Sequence, residues 1–436
     1  MTRSGARRSR GVRSAGHGEG RGHRTMIDVA IETARGSVHG RVHEDFTGVR
    51  DAFVTNFDER GEVGASVSLS VEGETVVDLW GGHFDPEGAK PWEEDTVSLV
   101  FSVTKAATAL CAHLLIERGE LDLHGKVTDY WPEFGQAGKQ DVTVAMMLNH
   151  SVGLPAFRET VKDGGFYDWD YCVDLLSRQE PFWEPGTRNG YHMVSFGWTV
   201  GELVRRVSGK SLGTFFADEF AAPLGLDFWI GLPEELEPRV SHMLPYVPGP
   251  EAPMTEFTQA LLTQPESISA LSLMNGGNHN LGAPDSRAAH AAEIGGGGGI
   301  SNARSLAKLF TPLANGGGDH FSADSIARMS EVSMATQRDA TLLIPTRFAL
   351  GFMKSMDNRH RPHGDIESVI IGDRAFGHVG AGGSIGFADP DCRLAFGYTM
   401  NQMGAGLLLN DRGQAVVDAA YTALGYRTNA PGVWVR

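Results

Sequence analysis

Apolar residues recur along this chain with two different periods, and the switches between them outline its elements. Val42, Phe46, Val49, Phe53 and Phe57 fall on one face of an amphipathic helix. Ala106, Ala107, Leu110, Cys111, Leu114 and Leu115 do the same after residue 102, with Gly119 as the stop. Residues 65–71 and 75–79 have strand character and read as a hairpin. The run 96–101 reads as a short, mostly buried strand leading into the second helix. Near the C-terminus, 348–353, 375–380, 384–388 and 394–400 read as successive strands, and 414–424 as a closing helix. From about 120 to 290 the pattern is helical and loop-rich, broken by Pro and Gly. Strand signals thus cluster at the two ends and helical ones in the middle; periodicity by itself yields "α plus β".

Composition narrows the function classes. With 436 residues, 41% of them hydrophobic and 21% charged, the chain has ample core for one large two-part domain or two small ones. A formal net charge of −16 argues against nucleic acid and against an anionic membrane surface. No uncharged apolar run reaches the roughly 18 residues needed to cross a bilayer. The first 25 residues are different material: seven arginines and one acidic residue give +6, leaving −22 for the remainder. That segment is expected to be a disordered tail. No apolar stretch of about 7–15 residues follows Arg7-Arg8, as an export signal requires. Cys111, Cys172 and Cys392 are widely spaced and lack a metal-ligand grouping, which points to reduced thiols in a cytoplasmic protein.

The candidate chemistry begins at Ser102-Val103-Thr104-Lys105. Residues three apart on a helix share a face, so an amine at 105 reaches a hydroxyl at 102 and helps to deprotonate it. At a helix start, unsatisfied N–H groups and the helix dipole favour developing negative charge. Two further patterns follow. Trp183 to Met193 is a Pro/Gly turn delivering Tyr191, and Phe376 to Ser384 is a glycine-rich strand edge that lets backbone approach a ligand.

Serine-x-x-lysine, then tyrosine, then a His-x-Gly strand near the C-terminus resembles the motif order of the serine β-lactamase superfamily. That superfamily includes class C β-lactamases, D-alanyl-D-alanine peptidases and, most similar here, the family VIII carboxylesterases. The likeness runs from about residue 40 to 425 and includes Val77-Asp78-Leu79-Trp80-Gly81-Gly82 and the segment from Leu148 to Pro155. It implies an α+β fold of the β-lactamase/transpeptidase type: an antiparallel sheet from both chain ends flanked by helices, with an inserted all-α subdomain and the site in the cleft between. Residues 26–436 would form this single domain, the α/β part at about 26–120 and 290–436 and the helical part at about 121–289.

By the same resemblance Ser102 is the nucleophile, and Lys105 and Tyr191 share the general-base work. A phenol is a poor base at neutral pH unless a cation stabilises the phenolate, and Lys105 is the candidate cation. Tyr191 then returns a proton to the leaving alkoxide and later activates water. The oxyanion hole would use the N–H groups of Ser102 and Ala381, with Gly380, Gly382 and Gly383 keeping the strand edge free of bulk. Two departures carry the substrate expectation. Met193 stands where lactamases usually have the Asn of Tyr-x-Asn, and His378-Val379-Gly380 replaces Lys-Thr-Gly. A mostly neutral imidazole at 378 weakens recognition of an anionic acyl-amide and suits neutral, short-acyl esters. Met193, Phe182, Trp183 and Phe387 are candidates for an apolar pocket. A lactamase, a D-amino-acid peptidase or a catalytically silent binding protein are the alternatives. No cofactor or metal is called for.

Other signals are weaker. Gly382-Gly383-Ser384-Ile385-Gly386 matches the G-x-S-x-G elbow, but strand-like sequence follows it and no His occurs after His378. Gly295 to Gly299 reads as a flexible cleft-side turn, and His150-Ser151 as a turn. His192 is expected to point away from Tyr191. His360 and His363 lack a third ligand.

Overall fold

The computed structural model describes residue 1, residues 25–279 and residues 284–436. The expected disorder of the arginine-rich tail therefore concerns residues outside the described ones. Seven strands form one antiparallel sheet: β1 (Met26–Thr33), β2 (Gly36–His43), β3 (Gly64–Val71), β4 (Glu74–Gly82), β5 (Phe376–Val379), β6 (Ile385–Asp389) and β7 (Leu394–Met400). Their spatial order is β1-β2-β4-β3-β7-β6-β5, so both chain ends meet where β3 pairs with β7. Five helices position the site: α1 (Thr47–Glu59), α2 (Thr104–Glu117), α3 (Phe196–Ser208), α4 (Ala303–Ala314) and α5 (Asp411–Ala423). No helix among the described residues is long and apolar enough to cross a membrane.

The expected hairpin is β3–β4, closed by Glu72 and Gly73, both at positive φ as a tight two-residue turn requires. β3 is buried throughout and uses its two faces differently. Ala65, Val67 and Leu69 join Phe53 and Phe57 of α1 and Val416 and Val417 of α5 in one core. Ser66, Ser68 and Ser70 alternate with them, and the small side chain of Ser66 admits α4, accepting from the Ala303 N–H at 3.3 Å. On β7, a Cβ at Gly397 would lie 2.2 Å from the Ala303 carbonyl, so only glycine lets the helix settle there. A second core joins α2, α3 and α4 through Leu110, Leu114, Trp198, Leu203, Leu306 and Phe310.

The structure departs from the sequence reading at four places. The helical period through residues 42–57 ran two elements together: Val42 lies in β2, which ends at His43, and α1 begins at Thr47, yet both Val42 and Phe46 face the same core. β1 went unread because Val29 is its one fully buried side chain, as befits an edge strand. Only Ser98–Leu99 of 96–101 is a strand, paired with Ile300–Ser301, which in turn pairs with Phe228–Trp229. Within 348–353 the strand stops at Phe348; Gly351 turns the chain at φ +88° before Met353 bridges to Gly377.

Candidate active site

α2 is buried on every side from Thr104 to Leu115, which places Lys105 in the interior rather than on a solvated helix face. Ser102 precedes it in a single 3₁₀ turn, Phe101–Val103, and is half-buried. Phe101 holds φ at +45°, a conformation that costs a non-glycine residue about 1–3 kcal/mol. The Thr104 hydroxyl offsets part of this by donating to the Phe101 carbonyl at 2.5 Å while accepting from the Gly299 N–H at 2.9 Å. The Ser102 hydroxyl is thereby presented at the mouth of a rigid helix.

Lys105 Nζ lies 3.0 Å from Ser102 Oγ and donates to the main-chain carbonyls of Met193 (2.6 Å) and Gly296 (2.5 Å). No carboxylate among the described residues pairs with it. Burial alone pushes the ammonium well below the ordinary lysine range. The Gly296 carbonyl comes from the glycine run expected to be flexible, and that expectation is corrected. Gly295 accepts from the Thr108 hydroxyl at 2.8 Å, and a Cβ at Gly296 would lie 2.2 Å from the Val194 carbonyl. These glycines serve close packing around the amine.

Tyr191 arrives from the opposite wall. Its ring stacks on Phe348 at 5.8 Å, tilts against His150 at 5.1 Å, and has Lys105 Nζ 4.7 Å from its centroid. The phenol interacts with the Ser102 hydroxyl, which favours its ionisation, but burial and the charge of Asp339 outweigh this and raise its pKa. Burial thus favours the neutral form of the amine and the protonated form of the phenol. The turn behind Tyr191 is built by side chains: Asn189 Nδ2 donates to the Asn149 carbonyl (3.1 Å), and Trp183 Nε1 to the Ser151 carbonyl (3.0 Å). His150 Nδ1 accepts from the His192 N–H at 3.2 Å, and His192 turns away to accept from the Leu154 N–H at 3.1 Å.

The third wall is the β5–β6 turn, whose strand β5 packs on the Phe101–Val103 turn. His378 is buried with its ring 5.8 Å from Tyr191; Nδ1 donates to the Val379 carbonyl at 2.7 Å, and burial lowers its pKa to about 3. The imidazole is therefore neutral. A Cβ at Gly380 would lie 2.2 Å from Ser384 Oγ and 2.3 Å from the Val100 carbonyl, while Gly382 turns at φ +83°. Asn410 Nδ2 and the Gly404 N–H both donate to the Gly382 carbonyl, at 2.7 and 2.9 Å. The exposed Ala381 sits at the apex of this pinned turn.

Ser384 is buried and gives its hydroxyl to the Val100 carbonyl at 3.1 Å, so it braces the chain just before the Phe101–Val103 turn and has none of the exposure of an elbow serine. Phe387 is in the core, stacked on Phe396 at 5.1 Å, which removes it as a pocket candidate. Phe182 lies under the Arg158 guanidinium, 4.0 Å from its ring centroid. Met193 is half-buried, and it contributes its carbonyl to Lys105 as well as its thioether to the wall. A cavity of about 970 Å³ lined by Met403, Gly404, Asn410 and Arg412 contains none of Ser102, Lys105 and Tyr191. Sequence reasoning gave no role to Asp339 and Asn410, which lie outside every motif, nor to Asn189 within the Trp183–Met193 turn or to the Gly296 carbonyl within the glycine run.

This geometry can be set beside known proteins. The sequence profile of the family described as Beta-lactamase matches residues 49–421. The chain belongs to that family. An esterase/beta-lactamase, LipL of Mycobacterium tuberculosis, is 32% identical over 88% of this chain and 90% of its own length. Among solved structures, a family VIII carboxylesterase superposes with a TM-score of 0.77 at 40% identity, covering 88% of this chain and 99% of the other. A penicillin-binding protein homologue from Caulobacter crescentus gives 0.75 at 33% identity, over 88% and 99%. The chain is an enzyme of the serine hydrolase class with the β-lactamase/transpeptidase-like fold that its motifs imply.

Proposed function

We propose that this β-lactamase-family enzyme hydrolyses short-acyl carboxylic esters through an acyl-Ser102 intermediate. One observation carries the reading. Lys105 Nζ is held by the Met193 and Gly296 carbonyls, which can only accept, with Ser102 Oγ 3.0 Å away as its third neighbour. In the neutral form that burial favours, the two carbonyls hold both N–H bonds and the lone pair turns to the Ser102 hydroxyl, the arrangement of a base that removes a proton.

In this reading Lys105 takes the Ser102 proton as Oγ bonds the acyl carbon. The N–H groups of Ser102 and Ala381 receive the oxyanion; one such donor is worth about 10²–10³ in rate. Tyr191 gives its phenolic proton to the alkoxide as the C–O bond breaks, and the Lys105 ammonium restores it. Water then releases the acid by the reverse sequence. The catalytic unit is residues 26–436, with the helical part at about 121–289 supplying Tyr191. Neutral His378 and the thioether of Met193 offer a substrate carboxylate no cation, and Trp183 and Met193 shape the acyl pocket beside Gly380 and Gly382. The names of the relatives, esterase/beta-lactamase and carboxylesterase, support the same chemistry. Three free, buried thiols fit a reducing compartment, and on that ground we assign the enzyme to the cytoplasm.

A fluorophosphonate probe tests the nucleophile: labelling is expected to vanish in Ser102→Ala and persist in Ser384→Ala. Hydrolysis of p-nitrophenyl butyrate is expected to exceed that of a chromogenic cephalosporin, and an equal or faster lactam rate would make the enzyme a lactamase.

A further inference from the structure

Asp339 is fully buried, and among the described residues none of its hydrogen-bond partners is a lysine or arginine. Both of its oxygens accept from the Tyr191 N–H, each at 3.0 Å. Oδ1 also accepts from the N–H groups of Thr341 (2.8 Å) and Leu342 (2.9 Å), and Oδ2 from the Thr346 hydroxyl (3.3 Å). One carboxylate thus gathers three stretches of chain: the tyrosine turn, its own loop, and the strand that ends in Phe348, on which the Tyr191 ring stacks. Burial raises the pKa of this carboxyl and the N–H and O–H donors around it act in the opposite direction, converging from segments 148 residues apart. Such a group fixes position sharply, because any shift of the tyrosine turn breaks a charge-assisted bond.

We propose that Asp339 is the positioning residue for Tyr191, setting where the phenol stands relative to Ser102 and therefore how fast a proton reaches the departing alkoxide. The inference rests on the role given to Tyr191 above. The charge of Asp339 has a second effect in the same direction: it disfavours a phenolate and keeps the resting phenol in its donor form. No other side chain among the described residues bonds the Tyr191 main chain.

The leaving group supplies the test. p-Nitrophenolate departs without a proton, whereas ethoxide needs one, so the ratio of kcat/KM for ethyl butyrate to that for p-nitrophenyl butyrate reports proton donation. Asp339→Asn keeps the size of the side chain but turns an NH₂ toward N–H donors. It is expected to lower this ratio at least about tenfold, within the range a misplaced general acid loses. Partial unfolding scales both substrates equally and leaves the ratio unchanged, so an unchanged ratio in folded Asp339→Asn overturns the proposal. Tyr191→Phe separates the two levels. If it shifts the ratio and Asp339→Asn does not, Asp339 is only structural; if neither does, the role of Tyr191 fails first. Should Asp339→Asn not fold, Thr346→Val decides: a drop of about threefold supports the inference, and no drop overturns it.

Discussion

The two sides of this site perform the same task, holding a side chain in a fixed place, by opposite means. Ser102 and Lys105 are placed by a helix: three residues apart, on a segment buried from Thr104 to Leu115, with the amine caged by main-chain carbonyls. Tyr191 sits on a turn with no regular structure and is held by side chains reaching in from elsewhere, Asp339, Asn189, Trp183 and the ring of His150. The first arrangement draws on backbone geometry that most sequences share. The second depends on individual residues, each removable by a single substitution.

That contrast can be pressed hardest on the helical side. Lys105→Met removes the base and keeps an apolar stem of similar length; turnover of p-nitrophenyl butyrate and fluorophosphonate labelling are both expected to fall by about 10³ or more. Retention of either would show that the amine is not the base. On the turn side, Asn189→Ala is expected to cost about tenfold in ester turnover while labelling of Ser102 stays near wild type, since fluoride leaves without help from the phenol. A parallel loss of both would mean that the two sides are one mechanical unit.

The pH profile sharpens the comparison further. Lys105 must be unprotonated, and its pKa is lowered, so kcat/KM should rise through a limb below the ordinary lysine range. Tyr191 must be protonated, and its pKa is raised, so the alkaline fall should lie above the ordinary phenol value. Histidine at 378 adds no limb above pH 5, being lowered to about 3. A limb near the ordinary lysine value would break the assignment. The smallest effect is expected from Asn410→Ala, which loses a helix cap and the bond to Gly382: about 1 kcal/mol of stability, read by denaturant titration, and a few-fold loss of turnover.

The same division explains what the sequence revealed. Ser102 and Lys105 were legible because helical spacing is local, and the strands near both chain ends because their apolar runs are local too; that they join in one sheet came from the family resemblance. Tyr191, His378 and Ala381 were legible only as parts of a motif order. Asp339, Asn410 and the carbonyl of Gly296 were not, since each acts on a partner far along the chain and belongs to a common residue type in an ordinary loop. The glycine run at 295–299 misled for a related reason: glycine marks freedom and tight contact alike, and only the neighbours 2–3 Å from its missing Cβ tell which. β1 was missed because an edge strand has little to hide.

The carbonyl cage of Lys105 has one more consequence. Salt screens charges that solvent can reach, and a base tuned by a neighbouring carboxylate would drift with ionic strength. Here burial sets basicity and no described residue supplies an ionic partner to screen, so the acid limb of the proposed reaction is expected to move less with ionic strength than that of a carboxylate-tuned base.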